Sequence, residues 1–193
     1  MSIESKQAPI SCFSIPPVES LPEDVRERMV AMQQKIGFIP NVMRVLSRRP
    51  AEFRAFMAYH DALMDGESGL SKAEREMIVV ATSGVNHCHY CVVSHGAILR
   101  IRTKNPTIAD QVAVNYHQAE ITARERAILD YAMKVSRHSS EVSQADKDQA
   151  RAAGLSDEDI WDIGSISAFF AMSNRLASST EMRPNVEFYN MAR

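Results

Sequence analysis

Apolar and polar positions follow a helical period along nearly the whole chain. Ser20-Leu21-Pro22-Glu23 has the form of a helix start, with Pro early and Glu three residues after Ser. The pattern predicts a helix from there to about Lys35, stopped at Gly37. Pro40 marks a turn, a short helix follows from Asn41 to about Ser47, and Pro50 suits the first turn of another running through Met64. Asp65-Gly66-Glu67-Ser68-Gly69 is a turn cluster. Ser71-Lys72-Ala73-Glu74 is a capping box that opens a helix to about Ser83, with Gly84 placed to end it. A helix is expected to begin near His87 and run past Arg100, and Pro106 opens a short one. Thr122-Ala123-Arg124-Glu125 is a second capping box, heading a helix to about Arg137. Ser143 and Ser156 each precede an acidic residue by three positions and fit N-caps. The last long helix, from about Asp157, is apolar on nearly every side from Ile160 to Met172, the pattern of a buried helix.

No segment alternates convincingly with the period of a strand, so the expected fold is all-α, with antiparallel neighbours joined by short loops. The first twenty residues carry Pro9, Pro16 and Pro17 without a helical period. They are expected to form an extended arm over residues 1–20, draped on the body or on a neighbouring subunit, ahead of a single helical domain over residues 21–193.

Leu70-Ser71-Lys72-Ala73-Glu74-Arg75-Glu76-Met77-Ile78 parallels Ile121-Thr122-Ala123-Arg124-Glu125-Arg126-Ala127-Ile128-Leu129. Two capped amphipathic helices account for the likeness. The contrast between Glu76 and Ala127 still suggests that Glu76 serves more than helix propensity.

Composition narrows the function. A chain of 193 residues suffices for one domain with a substantial core. Lys plus Arg number 22 against 24 Asp plus Glu, a net charge of -2, with both signs scattered. That balance makes no electrostatic case for a nucleic-acid or membrane-surface partner. No run of eighteen apolar residues suggests a membrane span, and Met1-Ser2-Ile3-Glu4-Ser5-Lys6-Gln7 leads into no signal-peptide core. The expectation is a soluble cytoplasmic protein.

The chemistry is concentrated in Asn86-His87-Cys88-His89-Tyr90-Cys91-Val92-Val93-Ser94-His95. In a reducing compartment a close cysteine pair is more often catalytic, redox-active or metal-binding than a structural staple. Cys12 stands alone in the arm and reads as a bystander. At about 100° per residue, Cys88, Cys91 and His95 project within roughly 60° of one another on a helix. His95, one turn beyond Cys91, is close enough to act as its base. Cys88 would lie in the first turn, where unpaired N–H groups and the helix dipole favour a thiolate. Such a site can attack a peroxide, form a sulfenic acid, condense it with the second thiol to a disulfide, and be reset by an external dithiol. Glu76 on the preceding helix would orient the imidazole and stabilise its charged form, provided the two helices fold against each other. Two other readings compete. His87, Cys88, His89, Cys91 and His95 include plausible zinc ligands, but no second Cys/His pair elsewhere completes a common structural pattern. A passive pair of small core residues is the other. His87 and His89 fall on other helix faces and read as solvated.

Glu76, eleven residues, Cys88, two residues, Cys91, three residues, His95 resembles the signature of the AhpD-like alkylhydroperoxidases of the carboxymuconolactone decarboxylase superfamily. Gly37-Phe38-Ile39-Pro40-Asn41-Val42, Leu63-Met64-Asp65-Gly66, Leu70 to Glu76, and Ala168-Phe169-Phe170-Ala171-Met172-Ser173-Asn174-Arg175 are similar to its uncharacterised peroxidase-related branch. The resemblance implies an AhpD-like helical fold, a multi-helix orthogonal bundle, and a homo-oligomer (dimer, trimer or hexamer). It implies a thiol peroxidase without haem, flavin, metal or other cofactor, acting on organic hydroperoxides or hydrogen peroxide with an unidentified dithiol reductant. By position, Cys91 is the thiol next to His95, Glu76 acts behind His95 as a proton relay, and Cys88 forms the disulfide and meets the reductant. Helix-start acidity equally allows Cys88 to attack first. The best-known members carry histidine directly before the second cysteine, where this chain has Tyr90. A phenol of ordinary pKa, about 10, is no base at neutral pH but can donate a hydrogen bond, an accessory role. A lactone decarboxylase, also in the superfamily, does not need a dithiol. A non-enzymatic redox sensor or zinc-binding module is the reading from another class.

Overall fold

The structure is a computed structural model that describes residues 9–193; the first eight residues of the expected arm lie outside the described part. The described residues form ten α-helices and no strand: α1 Glu23–Ile36, α2 Asn41–Leu46, α3 Pro50–Asp65, α4 Lys72–Val85, α5 His89–Thr103, α6 Ile108–Asn115, α7 Ala123–Arg137, α8 Gln144–Ala152, α9 Asp157–Ser179 and α10 Glu187–Asn190. The all-α expectation holds. Local signals set most ends. Gly37 closes α1 at φ +90°, a backbone conformation that glycine adopts without a Cβ clash. Ser71, Thr122, Ser143 and Ser156 each form a reciprocal capping box at the head of α4, α7, α8 and α9.

Three expectations need correction. Ser20 does not cap α1; it lies in a 3-10 turn over Val18–Ser20, its Oγ donating to the Pro17 carbonyl at 2.8 Å, and Pro22 occupies the cap position. Gly84 does not end α4, which continues to Val85. A Cβ at Gly84 would meet the Ala113 carbonyl oxygen at 2.5 Å, so this glycine lets α6 approach closely. The third concerns α9, which is not buried all round. Trp161 is 73% exposed and Met172 46% exposed, on a helix whose Ile163, Ile166 and Phe170 are fully sequestered.

The helix enclosed on every side is α4, buried at each position from Glu74 through Ser83. It packs against α5, α6, α7 and α9. Its polar residues are accommodated individually: buried Arg75 donates from Nε to the Leu70 carbonyl at 3.1 Å and from a terminal nitrogen to the Leu63 carbonyl at 3.1 Å. A smaller core of Leu21, Val25, Met29, Met43, Leu46, Phe53 and Met57 ties α1, α2 and α3 together, and α3 rests on α9 and α4. Residues of the arm from 9 onward lie on this chain's own α9 end: the Cys12 amide donates to the Thr180 carbonyl at 3.0 Å and the Arg183 amide to the Ile10 carbonyl at 3.1 Å. No described helix is long and apolar enough to cross a membrane.

Candidate active site

The packing of α4 on α5 satisfies the condition on which the site depended. Glu76 projects from the central helix and accepts a hydrogen bond from His95 Nδ1 at 2.7 Å, with both side chains buried. A carboxylate is acceptor-only, so this contact fixes the proton on Nδ1 and leaves Nε2 as the basic nitrogen. The edge of the Phe170 ring packs on the imidazole at 4.8 Å between centroids.

Cys88 and Cys91 are free thiols, both buried, while Cys12 is free and exposed. Cys88 stands at the N-cap of α5 rather than in its first turn. The turn before it takes a left-handed residue, His87 at φ 52°, and the Cys88 amide donates to the Ser83 carbonyl at 2.9 Å. Asn174 of α9 holds this turn. Its amide donates to Ser83 Oγ at 2.9 Å and its carbonyl accepts from Asn86 Nδ2 at 2.9 Å.

The two sulfurs differ in acidity. Cys88 is pushed down to about 7, first by a hydrogen bond from the Cys91 thiol, against the opposing effect of burial, with help from the Cys91 and Tyr90 amides and from Asn174. Cys91 is pushed well up, first by donating that hydrogen bond, then by burial and by the charge on Cys88. Once the reduced pair ionises, as pH rises through about 7, its negative charge lies on Cys88 and its proton on Cys91. Cys91→Ala removes the largest cause of the Cys88 acidity. Titration of thiolate absorbance is expected to show the Cys88 midpoint rising from about 7 toward the ordinary value near 9.0. Because the reactive form is the thiolate, alkylation of the wild-type pair should accelerate as pH rises through about 7.

The pair sits beside an open groove of about 850 Å³ whose walls include Arg44, His87, His89, Arg183, Val186 and Tyr189. Cys88 lines this groove; Cys91, His95 and Glu76 do not. His87 and His89 are exposed, as expected, but only His89 is on a helix; His87 lies in the left-handed turn before α5. Of the two, His89 pairs through Nε2 with the Tyr189 hydroxyl at 2.7 Å. Among the described residues, no group of three or more His, Cys, Asp or Glu side chains is arranged to hold a metal ion.

Tyr90 does not donate to the sulfurs. Its hydroxyl accepts the Val42 amide at 3.0 Å, and burial drives its pKa upward. It pins the start of α2 to α5. Tyr90→Phe leaves that amide without its acceptor and is expected to destabilise the protein by about 1 kcal/mol, a melting-temperature fall of roughly 2–4 °C. Unfolding followed by circular dichroism measures this.

The expected site residues thus come together in two pairs, Glu76 with His95 and Cys88 with Cys91. No hydrogen bond links either sulfur to His95 among the described residues; Cys91 Sγ instead lies 4.0 Å from Ser173 Oγ. Asn174 has no role assigned from the sequence, where the only local mark is the polar Ser173-Asn174 pair that ends the apolar run over residues 168–172. Nothing in the sequence around His60, which faces His95 from α3, marked it.

The model of the carboxymuconolactone decarboxylase family matches residues 50–132. A comparison with functionally curated proteins finds no match. Among solved structures, an alkylhydroperoxidase AhpD core, an uncharacterized peroxidase-related protein from Ralstonia eutropha JMP134, is 57% identical over 97% of this chain and 98% of its own, with a TM-score of 0.96. An uncharacterized peroxidase-related protein from Silicibacter sp. TM1040 is 39% identical over 98% of this chain and 100% of its own, with a TM-score of 0.93. A variant of the debrominase Bmp8, solved in complex with 2,3,4-tribromopyrrole, shares the fold at 18% identity over 92% of this chain and 95% of its own, with a TM-score of 0.75. On the full-length match to the first two, and with the family's model spanning α3 to α7, the chain belongs to the AhpD-like carboxymuconolactone decarboxylase superfamily.

Proposed function

We propose that this protein is a thiol-dependent peroxidase that reduces organic hydroperoxides or hydrogen peroxide through a Cys88–Cys91 disulfide. The observation that carries the reading is the buried Glu76–His95 contact at 2.7 Å behind a dithiol whose groove-lining member is the acidic one. The Cys88 thiolate attacks the peroxide; an S–O bond forms, the O–O bond breaks, and the alkoxide leaves as alcohol, taking up the equivalent of the proton Cys88 released on ionising. Cys91 passes its proton to His95, whose charge Glu76 balances, and attacks the Cys88 sulfur. The S–S bond forms, and the departing hydroxide leaves as water with the proton from His95. A dithiol donor in the groove, having released a proton to solvent, then attacks Cys88 as its thiolate, and Cys91 leaves and is reprotonated through His95 by a proton drawn from solvent. The donor's second thiol then loses its proton, displaces the Cys88 thiolate and leaves as the donor disulfide. Tyr90 takes no part in proton transfer.

Peroxide titration of the reduced protein should consume Cys88 and Cys91 together, without an intersubunit crosslink. Steady-state peroxide reduction with a panel of dithiol donors should show turnover. Loss of Cys12 alone, or no turnover with any donor, would remove the reading. For a zinc-binding module, metal analysis of protein purified without chelator should find near-stoichiometric zinc; the peroxidase reading expects none. The proposal includes a homo-oligomer in a reducing cytoplasm, supported by the exposed Trp161 and Met172 on one helix. Light scattering on the purified protein tests the assembly.

A further inference from the structure

A second histidine faces the site from α3. The His60 ring centroid lies 6.3 Å from that of His95, the planes tilted by 47°. Phe169 and Phe170 wall it at 6.2 and 6.3 Å. Its Nδ1 is 3.4 Å from Asp61 Oδ1, and Asp61 is held by Arg28 of α1 at 2.6 and 2.8 Å. The Asp61 side chain is 43% exposed, whereas that of Glu76 is 9% exposed. A string of polar groups, Glu76, His95, His60 and Asp61, thus runs from the buried site to the surface.

We propose that His60 is the proton relay between His95 and solvent, a positioning residue that acts through His95 and never touches the sulfurs. The proposal rests on the peroxidase reading above. In that cycle His95 gives the Cys91 proton to the departing water and must draw another from solvent to reprotonate Cys91, yet neither His95 nor Cys91 lines the groove through which Cys88 meets its reactants. Exchange of the His95 proton with bulk water therefore needs a route away from the groove, and α3 supplies one. Rings 6.3 Å apart between centroids are within reach of proton transfer through one bridging water. The groups around His60 suit an acceptor. Burial presses its pKa down, followed by the neighbouring His95, against the opposing pull of Asp61 and Glu76. Asp65, on the same helix, is occupied by Lys72 at 2.8 Å, and α9 presents Phe169 and Phe170 to the ring. A neutral His60 can take a proton from solvent and pass it to a neutral His95 without placing two cations side by side.

The test uses His60→Phe, which keeps an aromatic ring against Phe169, and His60→Gln, which keeps a polar group. In both, kcat is expected to fall about tenfold and to be restored by added imidazole buffer, while wild type is insensitive to it. Wild-type kcat in folded His60→Phe, or a loss that imidazole leaves untouched, would make His60 a packing residue and overturn the relay. A second measurement needs no peroxide. Solvent exchange of the His95 ring Nδ1–H, followed by nitrogen-15 NMR on the reduced protein, should slow about tenfold in His60→Phe. Slowed exchange in a protein without peroxidase turnover would remove the peroxidase reading and keep the relay. Unchanged exchange would remove the relay whatever the turnover.

Discussion

Cys91→Ser is expected to lower peroxide turnover by at least about 100-fold while a single sulfenic acid accumulates on Cys88. The charge of the reduced pair sits on Cys88, which also lines the groove, and a serine hydroxyl at position 91 can donate to it in place of the thiol, so the first step is retained. The second step needs a thiol at position 91, because a serine hydroxyl cannot close the disulfide. Serine fits the site: the side chain is buried beside Ser173 Oγ, a ready hydrogen-bond partner for a hydroxyl. The companion variant Cys88→Ser should form far less sulfenic acid at neutral pH, since Cys91 loses its hydrogen bond to the Cys88 sulfur but is still pushed up by burial and does not line the groove. Mass spectrometry after dimedone trapping reads both. Turnover that survives Cys91→Ser would end the disulfide mechanism. Sulfenic acid trapped at Cys91 in Cys88→Ser as fully as at Cys88 in Cys91→Ser would move the attack to the thiol beside His95.

Glu76→Gln should lower kcat roughly 10- to 30-fold with little change in stability. Glutamine has the same length and keeps an acceptor for His95 Nδ1–H, so the buried hydrogen bond can persist. What disappears is the negative charge that faces the imidazolium during the second step. A hydrogen bond to a charged group exceeds a neutral one by about 1–2 kcal/mol, and about 1.4 kcal/mol is tenfold in rate. Stopped-flow measurement of disulfide closure isolates the affected step. Glu76→Leu should be worse on both counts, because it leaves a buried N–H unpaired. Equal rates for wild type and Glu76→Gln would show that the carboxylate does no more than hold the ring.

Helix ends written into the sequence by neighbouring residues were legible, and those written by distant ones were not. The four reciprocal capping boxes and the left-handed Gly37 involve only residues within a turn of one another, so spacing reveals them. Gly84 looked like a helix stop because its reason lies elsewhere: the Ala113 carbonyl crowds it from α6. Ser20 is the local exception: it had the right spacing for a cap, but its hydroxyl donates to the Pro17 carbonyl three residues back. On α9, apolar residues on every face suggested complete burial, yet Trp161 and Met172 point outward.

The candidate site divides in the same way. Cys91 and His95 on one face of α5 follow from the helical period, whereas Cys88 at the N-cap and His87 in the left-handed turn before it depend on how α4 ends. Tyr90 was visible as a departure, but its engagement with the Val42 amide depends on how α2 meets α5. Asn174 and His60 come from α9 and α3, and no local pattern points from either toward the cysteines.

The helices, most of their caps, the family likeness and the dithiol with its neighbouring histidine are thus properties of the linear chain, because all of these rest on residues close along it or on motif spacing. Packing in three dimensions was needed to make α4 the enclosed helix, to bring Glu76 to His95, to set Cys88 rather than Cys91 in the groove's wall, and to bring His60 beside the dyad. The physical reason is that side-chain period specifies which face of a helix is apolar, whereas the burial of α4 among α5, α6, α7 and α9 selects which faces meet.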